Sequence, residues 1–170
     1  MTWIMASEPF DSPDAASLRR EYYADVASRY WRRPATSEET DEGLAGDGAE
    51  FLVPPTGQFV VGRHDGEAAA CGGVVMLDAD RAELTRIYVR PDFRGRRGAG
   101  LLLDVLENEA HRLGARRMVL NTRLDLIEAR SLYARHGYAE IPAYCTGPYT
   151  EIWYGKELTG QAPASDTGTA

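Results

Sequence analysis

The stretch from Tyr88 to Leu103, YVRPDFRGRRGAGLLL, decides the fold of this 170-residue chain. It runs from the end of a β-strand through a turn rich in arginine and glycine and then directly into an amphipathic helix. The unpaired N–H groups in the first turn of a helix converge on one point and carry partial positive charge. Arginine side chains in the turn add full charges beside them. The stretch therefore predicts a site that binds a pyrophosphate group.

The residues that precede this stretch predict two helices followed by three strands. Apolar side chains recur at every fourth position in residues 12–31, which predicts a long helix, and a shorter helix is predicted over residues 38–44. Runs of β-branched and aromatic residues predict antiparallel strands over residues 58–64, 68–77 and 83–89. Strand side chains alternate, so the third strand is expected to place on one face Glu83, Thr85, Ile87 and Val89, and on the other Leu84, Arg86 and Tyr88.

The residues that follow the turn predict a helix, a strand, a second helix and two further strands. The helix after the turn packs on the core through one apolar stripe, formed by Leu102, Leu106, Ala110 and Leu113. The remaining elements are predicted over residues 116–122, 128–136, 138–141 and 151–158. This order predicts one α/β domain over residues 1–158. The small and polar residues 159–170 predict a disordered tail.

Composition and charge exclude several classes of protein. The hydrophobic fraction of 44% and the charged fraction of 26% are typical of a soluble globular domain. Apolar runs fall well short of the ~20 residues that span a bilayer, and the N-terminal residues lack the pattern of a secretory signal. We therefore expect no membrane association and a cytoplasmic location. The net charge of −7 argues against general nucleic-acid binding, which needs a basic face.

Cysteine and histidine are too few and too scattered to predict a disulfide or a metal site. Cys71 and Cys145 lie far apart and form no CxxC motif, so reduced thiols are expected. The three histidines, His64, His111 and His136, show no spacing typical of metal ligands. The sequence therefore predicts no metal.

Two segments carry a resemblance to a known family. LTRIYVRPDFRGRRGAGLLLDVLE (residues 84–107) and EARSLYARHGYAEIPAY (residues 128–144) resemble the Gcn5-related N-acetyltransferase (GNAT) family, whose hallmark is a [Q/R]xxGx[G/A] turn between a strand and a helix. The resemblance covers about residues 67–158. It implies an acyl-CoA N-acyltransferase fold with a mixed, mostly antiparallel sheet flanked by helices. In that fold the central strand and the strand after the long helix splay apart to admit the pantetheine arm of the cofactor.

The turn departs from the family hallmark at one position. Alignment places Arg94 at the first position of the hallmark and Ala99 at the last, and it places Arg97 where the family has a glycine. Glycine at such a position permits an unusual backbone conformation or a close approach to phosphates. Two interpretations stay open. Either Arg97 adopts the required conformation and adds its charge, or the turn shifts by one residue so that Gly98 and Gly100 take the glycine roles.

The resemblance implies acetyl-CoA as the co-substrate and indicates which residues hold it. The strand backbone would bond to the pantetheine amides, and the turn would hold the pyrophosphate. The arginines would also reach the 3′-phosphate, because guanidinium groups suit phosphate recognition. The residues expected to bind the cofactor are Ile87, Tyr88, Val89, Arg94, Gly95, Arg96, Arg97, Gly98, Ala99, Gly100 and Asn121.

The second segment supplies the expected general acid. Tyr133 stands where the family usually has a tyrosine that protonates the departing CoA thiolate. The alternative is that its ring only packs between helix and sheet. Many relatives have an asparagine that contacts the cofactor where this chain has Leu126, and Asn121 at the end of the preceding strand is a possible substitute.

Glu83 is the expected general base, because only a neutral amine attacks a thioester. It is a carboxylate in the strand that the resemblance assigns to cofactor binding, where related sequences often show an ELxR-type strand. The alternative is an ion pair with Arg86 or another nearby arginine. Asn121 occupies the position at which many relatives carry a second candidate base, a glutamate.

The predicted function is transfer of an acetyl group to a primary amine of a small molecule: an amine, an amino acid or an amino-bearing antibiotic. Acetylation of protein lysines or N-terminal amines, and a sensor that binds acyl-CoA without turnover, remain alternatives. A homodimer is possible because relatives often form one. Seven aromatic and acidic residues have two alternative roles: they line a pocket for a cationic acceptor, or they belong to the core and the solvated surface. They are Tyr22, Tyr23, Tyr30, Trp31, Glu38, Glu39 and Asp41.

Overall fold

The structure, a computed structural model, describes residues 2–158, and the predicted tail over residues 159–170 lies outside them. Four helices and seven strands make up the described part. The helices are α1 (Pro13–Trp31), α2 (Ser37–Leu44), α3 (Gly98–Arg112) and α4 (Ile127–Arg135). The strands are β1 (Trp3–Ser7), β2 (Gly57–His64), β3 (Glu67–Met76), β4 (Arg81–Val89), β5 (Arg117–Thr122), β6 (Ala139–Glu140) and β7 (Ile152–Glu157).

The strands form one sheet in the order β1-β2-β3-β4-β5-β7-β6. Every neighbouring pair is antiparallel except β4 and β5, which run parallel because α3 crosses over between them. The predicted α/β class with a mixed, mostly antiparallel sheet is confirmed, and each predicted helix and strand lies within two residues of its observed bounds. Strand β1 was not predicted. Within the described residues, no helix is long and apolar enough to cross a membrane.

Strands β4 and β5 separate partway along their length. Their pairing covers only three positions and ends where Glu83 lies beside Val119. The remainder of β4, up to Val89, pairs with β3 alone, while β5 continues along β7 as far as Thr122. The sheet therefore opens at this point, and the edge of β4 that faces β5 is left without a strand partner.

A β-bulge in β4 overturns the predicted division of its side chains. Cys71 pairs with Tyr88 and Gly73 with Thr85, so a single residue of β3 lies opposite both Arg86 and Ile87. Arg86 has a left-handed backbone with a φ of 58°. The extra residue reverses the alternation, because each residue beyond the bulge points to the face opposite to the one expected.

The two apolar clusters show the faces that result. One cluster, on the side of α3, contains Ala82 and Leu84 with Ile87 and Val89 packed against it. The other, on the side of α1, contains Tyr88. The predicted grouping of Glu83 and Thr85 with Ile87 and Val89 is therefore wrong, and so is the grouping of Leu84 with Tyr88. The predicted stripe of α3 is confirmed, since Leu102, Leu106 and Ala110 are fully buried and Leu113 packs beside them.

Strand β1 supports the turn that precedes α3. The indole Nε1 of Trp3 donates a hydrogen bond of 2.9 Å to the carbonyl oxygen of Arg96. The indole ring also covers Gly98, the first residue of α3: a Cβ atom on Gly98 would lie 2.3 Å from the ring. Around a Cβ on Gly100, two residues on, no described atom beyond its chain neighbours and the backbone of its own helix would lie within 4 Å. The two glycines therefore have different physical roles.

We expect Gly98→Ala and Gly100→Ala to change stability in opposite directions. The methyl group at residue 98 must displace the Trp3 ring, which should lower the free energy of unfolding by about 1–3 kcal/mol. At residue 100 the methyl group meets open space in a helix, where alanine is favoured by up to about 1 kcal/mol. Urea denaturation of both variants measures the difference. Equal effects would show that the Trp3 ring does not support the turn.

Candidate active site

A cavity of about 960 Å³ lies where β4 and β5 separate. Its lining includes residues 83–89 of β4, the turn before α3, the end of β5 and one side of α4. All of the predicted catalytic and cofactor-binding residues line it except Arg96. The guanidinium of Arg96 lies over the ring of Phe93, with 5.4 Å between the guanidinium carbon and the ring centroid. The prediction that Arg96 binds the cofactor has no support from this position.

The turn at the mouth of this cavity resolves the question of its glycines. Arg97 adopts the left-handed conformation itself, with a φ of 66°, and precedes α3 as its N-cap. Gly98 and Gly100 have ordinary negative φ angles. The conformation expected in the first interpretation is therefore confirmed, and the second, in which the turn shifts by one residue, is wrong; the contribution of the Arg97 charge stays a prediction. Gly95 is the other residue of the turn with a positive φ, 78°.

The first turn of α3 presents unpaired donors to the cavity. No side chain caps this helix, and the first hydrogen bond of the turn runs from Leu101 N–H to the carbonyl of Arg97 at 3.4 Å. The N–H groups of Gly98, Ala99 and Gly100 therefore have no acceptor among the described residues. Three such donors at the positive end of a 15-residue helix are an arrangement that favours an anion.

The arginines of the turn differ in their surroundings. Arg94 is held by the protein: its Nε donates to the carbonyl of Val89 at 2.9 Å, and its side chain lies over the ring of Tyr88. Arg97 is exposed, lines the cavity and forms no ion pair within the described part of the chain. Its charge is therefore available to a ligand, whereas Arg94 also stabilises the end of β4.

Tyr133 lines the cavity from α4. Its ring packs against the rings of Tyr138 and Tyr154, with centroids 6.0 and 6.1 Å away, and the residue is 7% exposed. Its hydroxyl has no hydrogen-bond partner among residues 2–158. Burial raises the pKa of Tyr133 above its ordinary value, so that the hydroxyl stays protonated at neutral pH. Tyr133 therefore packs in the aromatic group and keeps a protonated hydroxyl beside the cavity.

Glu83 lies at the point of separation and is held by two side chains. The hydroxyl of Tyr144 donates to Glu83 Oε2 at 2.7 Å, and Asn121 Nδ2 approaches the same oxygen at 3.4 Å. Burial and the neighbouring Glu83 carboxylate raise the pKa of Tyr144, which keeps this hydroxyl a donor. No arginine of the described chain lies within 4.0 Å of the Glu83 carboxylate, so the predicted alternative of an ion pair is wrong.

Tyr144 is the member of this group that was not predicted to act on Glu83. It comes from the segment between β6 and β7, 61 residues away in sequence, and no local pattern links the two. Asn121 also lies near Tyr144 and Cys145, with Nδ2 at 3.3 Å from the Tyr144 oxygen and 3.8 Å from Cys145 Sγ. Glu83, Asn121 and Tyr144 thus form one polar cluster, which we call the Glu83 cluster.

A second cavity, of about 400 Å³, lies on the α1 side of the sheet. It shares Glu83, Thr85 and Asn121 with the first cavity, so the two meet at the Glu83 cluster. Five aromatic side chains line it: Tyr22, Tyr23, Tyr30, Trp31 and Tyr149. The predicted aromatic members of an acceptor pocket are therefore brought together.

The predicted acidic members of that pocket lie elsewhere. Glu38, Glu39 and Asp41 do not line the second cavity. Glu39 pairs with Arg33 at 2.8 Å and also caps α2, and its pKa is lowered to about 2 by the hydrogen bonds that it accepts from Arg33 and Thr36. The alternative of an acidic pocket is wrong, because Glu39 and Asp41 form surface pairs with Arg33 and Arg20 and Glu38 is exposed outside the cavity.

Of the two cysteines, Cys71 lies away from the Glu83 cluster, whereas Cys145 contacts it through Asn121. Burial raises the pKa of the Cys71 thiol to about 12, so it is not a nucleophile at neutral pH. Cys145 is also a free thiol. Among residues 2–158, no cluster of three or more His, Cys, Asp or Glu side chains is arranged to hold a metal ion.

Comparison with known proteins assigns the chain to a class. Residues 17–138 match the model of the acetyltransferase (GNAT) family. An uncharacterized N-acetyltransferase of Schizosaccharomyces pombe is 29% identical over 148 residues, which cover 86% of this chain and 87% of that protein. An "IAA acetyltransferase" of Azospirillum brasilense is 29% identical over 101 residues, which cover 59% of this chain and 65% of that protein.

A solved structure shows the same fold. The PaiA N-acetyltransferase of Thermoplasma acidophilum, in complex with coenzyme A, superposes with a TM-score of 0.70 at 13% identity, covering 92% of this chain and 99% of that one. The split sheet and the turn before α3 thus belong to an acyltransferase fold. The chain belongs to the acetyltransferase (GNAT) family, and the predicted class, an acetyl-CoA-dependent N-acetyltransferase, is confirmed.

We expect Arg97→Gly to separate the conformational role of this residue from its charge. Glycine removes the roughly 1–2 kcal/mol cost of a left-handed L-residue, so stability should be retained or slightly increased. The affinity for coenzyme A should fall about three- to tenfold, because a charged phosphate contact is lost. Isothermal titration calorimetry measures the affinity. Arg96→Gly is the control, since Arg96 lies outside the cavity, and a loss as large in this control would remove Arg97 as a phosphate ligand.

Proposed function

We propose that the protein transfers the acetyl group of acetyl-CoA to the amine of a small molecule. The observation that carries the proposal is the junction of the two cavities at the Glu83 cluster. The larger cavity has the volume and the anion-binding turn that a CoA molecule needs, and the smaller has the volume of a single small acceptor. A thioester and an amine held in the two cavities would meet beside a carboxylate.

Acetyl-CoA is the co-substrate that the larger cavity fits. The three free N–H groups at the start of α3 and the side chain of Arg97 would hold the pyrophosphate. The unpaired edge of β4, which includes Ile87 and Val89, would bond to the pantetheine amides as an added strand does. Coenzyme A is also the ligand in the solved structure of the PaiA relative. When bound, the cofactor supplies an activated acetyl group.

Glu83 would act as the general base. An acceptor amine is protonated at neutral pH and attacks only after it loses a proton. The Glu83 carboxylate lies where the cavities meet and has no cationic partner within 4.0 Å among the described residues, so it is free to accept that proton directly or through a water molecule. Tyr144 would hold the carboxylate in place through the bond of 2.7 Å.

The amine would attack the thioester and the CoA thiolate would leave without forming a covalent intermediate with the enzyme. The amine nitrogen bonds to the thioester carbonyl carbon, and a backbone N–H near Ile87 stabilises the oxyanion. The carbon–sulfur bond then breaks, and the sulfur leaves as a thiolate. Tyr133, whose hydroxyl is protonated and free of partners among the described residues, donates its proton to that sulfur, and the proton that the new amide nitrogen loses restores the hydroxyl. A cytoplasmic location and a homodimer remain predictions.

We expect Tyr133→Phe to lower kcat by about 10²-fold or more, with little change in the affinity for acetyl-CoA. The ring and its packing are retained, so the loss reports the hydroxyl alone. Release of free thiol in the presence of an amine panel measures kcat. Tyr138→Phe is the matched control, because Tyr138 is a buried tyrosine of the same aromatic group that does not line the cavity. Unchanged turnover in Tyr133→Phe would rule out its role as the acid.

Glu83→Gln should lower kcat/KM by about 10²-fold near neutral pH, and the loss should become smaller at alkaline pH, where the amine loses its proton to water without a base. Glutamine keeps the size of the side chain and an acceptor for Tyr144 but cannot take a proton. The measurement is the pH profile of kcat/KM for the wild type and the variant. Glu42→Gln, on the exposed part of α2, is the control. An unchanged kcat/KM near neutral pH in Glu83→Gln would assign the base to another group.

A further inference from the structure

We propose that the acceptor is an amino acid with an apolar side chain, and that Arg86 binds its carboxylate. This inference rests on the proposed acetyl transfer and specifies its acceptor. Arg86 lines both cavities and comes from the bulge of β4, three residues after Glu83. Its backbone has a φ of 58°, which costs energy for any residue other than glycine. Such a strained residue persists where its side chain has a task.

The side chain of Arg86 is buried but only partly paired. It is 14% exposed, and its Nη2 donates to the carbonyl of Asp47 at 2.6 Å and lies 3.3 Å from the Asp47 carboxylate. Its Nη1 makes a longer contact of 3.3 Å with the hydroxyl of Thr85. The Nε donor has no partner among the described residues. A guanidinium has five N–H donors, so Arg86 can still bind an anion.

Positive charge is in excess at this end of the second cavity. The Asp47 carboxylate serves two guanidiniums, those of Arg86 at 3.3 Å and Arg19 at 3.8 Å. Arg19 is 13% exposed, and its Nε is buried without any hydrogen-bond partner. Buried charge that lacks a counterion is costly. A ligand carboxylate would supply the missing negative charge and accept the remaining hydrogen bonds.

Arg123, the third arginine that lines this cavity, does not contribute to the excess of positive charge. Arg123 has a carboxylate of its own: Asp125 accepts two bonds from it, of 2.8 and 2.9 Å, and the carbonyl of Val26 accepts a third. The unpaired cationic character therefore belongs to Arg86 and Arg19. It lies on the same side of the sheet as the carboxylate of Glu83, which has no arginine within 4.0 Å in the described chain.

The second cavity thus presents a carboxylate and an excess of positive charge as separate sites. A molecule with an amine and a carboxylate matches both, because its amine would face Glu83 and its carboxylate Arg86. A polycationic acceptor such as an amino sugar would instead meet the arginines with like charge. The aromatic walls favour an apolar side chain, and the volume of about 400 Å³ admits one amino acid.

The test compares each apolar amino acid with the amine that lacks its carboxylate. Phenylalanine and phenethylamine form one pair, leucine and isopentylamine another, and the initial rate of CoA release gives kcat/KM for each. We expect at least one amino acid to exceed its matched amine by about tenfold or more, because a site built for a charged group discriminates against a ligand without it. Amines that react as well as every amino acid would overturn the proposal.

Two variants assign the preference to a residue. In Arg86→Gln the ratio of the two kcat/KM values should fall to within about threefold of unity, whereas Arg86→Lys should keep part of the preference. Arg20→Gln is the control, because Arg20 lies on the same helix as Arg19 but pairs with Asp41 at 2.6 Å outside the cavity. A preference that persists unchanged in Arg86→Gln would contradict the assignment.

A binding measurement separates this proposal from that of acetyl transfer. Calorimetric titration of the CoA-bound protein with the same pairs reports the acceptor site without turnover. If no compound releases CoA but amino acids bind more tightly than their matched amines, and this difference disappears in Arg86→Gln, then acetyl transfer fails and the carboxylate site stands. If amines are acetylated and amino acids neither bind nor react better, the carboxylate site fails and acetyl transfer stands.

Discussion

The separation of β4 from β5 after Glu83 is the constraint on which the rest of this molecule depends. A parallel pair that continued along its whole length would close the sheet and fill the space that the larger cavity occupies. Because the pairing stops after three positions, β4 keeps one bonded edge, toward β3, and one edge without a strand partner. The turn before α3 begins only a few residues further on. Backbone donors of a strand and of a helix are thereby directed to one ligand.

The bulge at Arg86 lets strand β4 contribute side chains both to the main core and to the second cavity. Beyond it, Ile87 and Val89 pack toward α3 and anchor β4 in the main core, while Glu83, Thr85 and Arg86 line the cavity on the α1 side. A regular strand would place Ile87 on the same side as Glu83 and so fill the acceptor cavity with an apolar side chain. The free-energy cost of the left-handed backbone at Arg86 is thus offset, because one strand then presents apolar side chains to the core and polar side chains to the second cavity.

The sequence predicted the features that rest on local patterns. Apolar spacing and turn residues located every helix and six strands, and the RxxRxA turn led to the family. Features that depend on distant parts of the chain were missed. Strand β1 is short and mostly exposed, so it lacks a clear alternation. The bulge requires a left-handed arginine, which no propensity indicates. The partner of Glu83, Tyr144, and the partner of Asp41, Arg20, are set by tertiary packing alone.

The indole of Trp3 also has a thermodynamic consequence. It links the first strand of the sheet to the carbonyl of Arg96, 93 residues later, at the turn that would receive the phosphates. Any ligand that orders this turn must also favour the docked state of β1, and by reciprocity a docked β1 must favour the ligand. Local unfolding of this edge strand and occupancy of the cofactor site are therefore coupled equilibria. A bound cofactor would stabilise the N-terminal edge of the sheet against local unfolding.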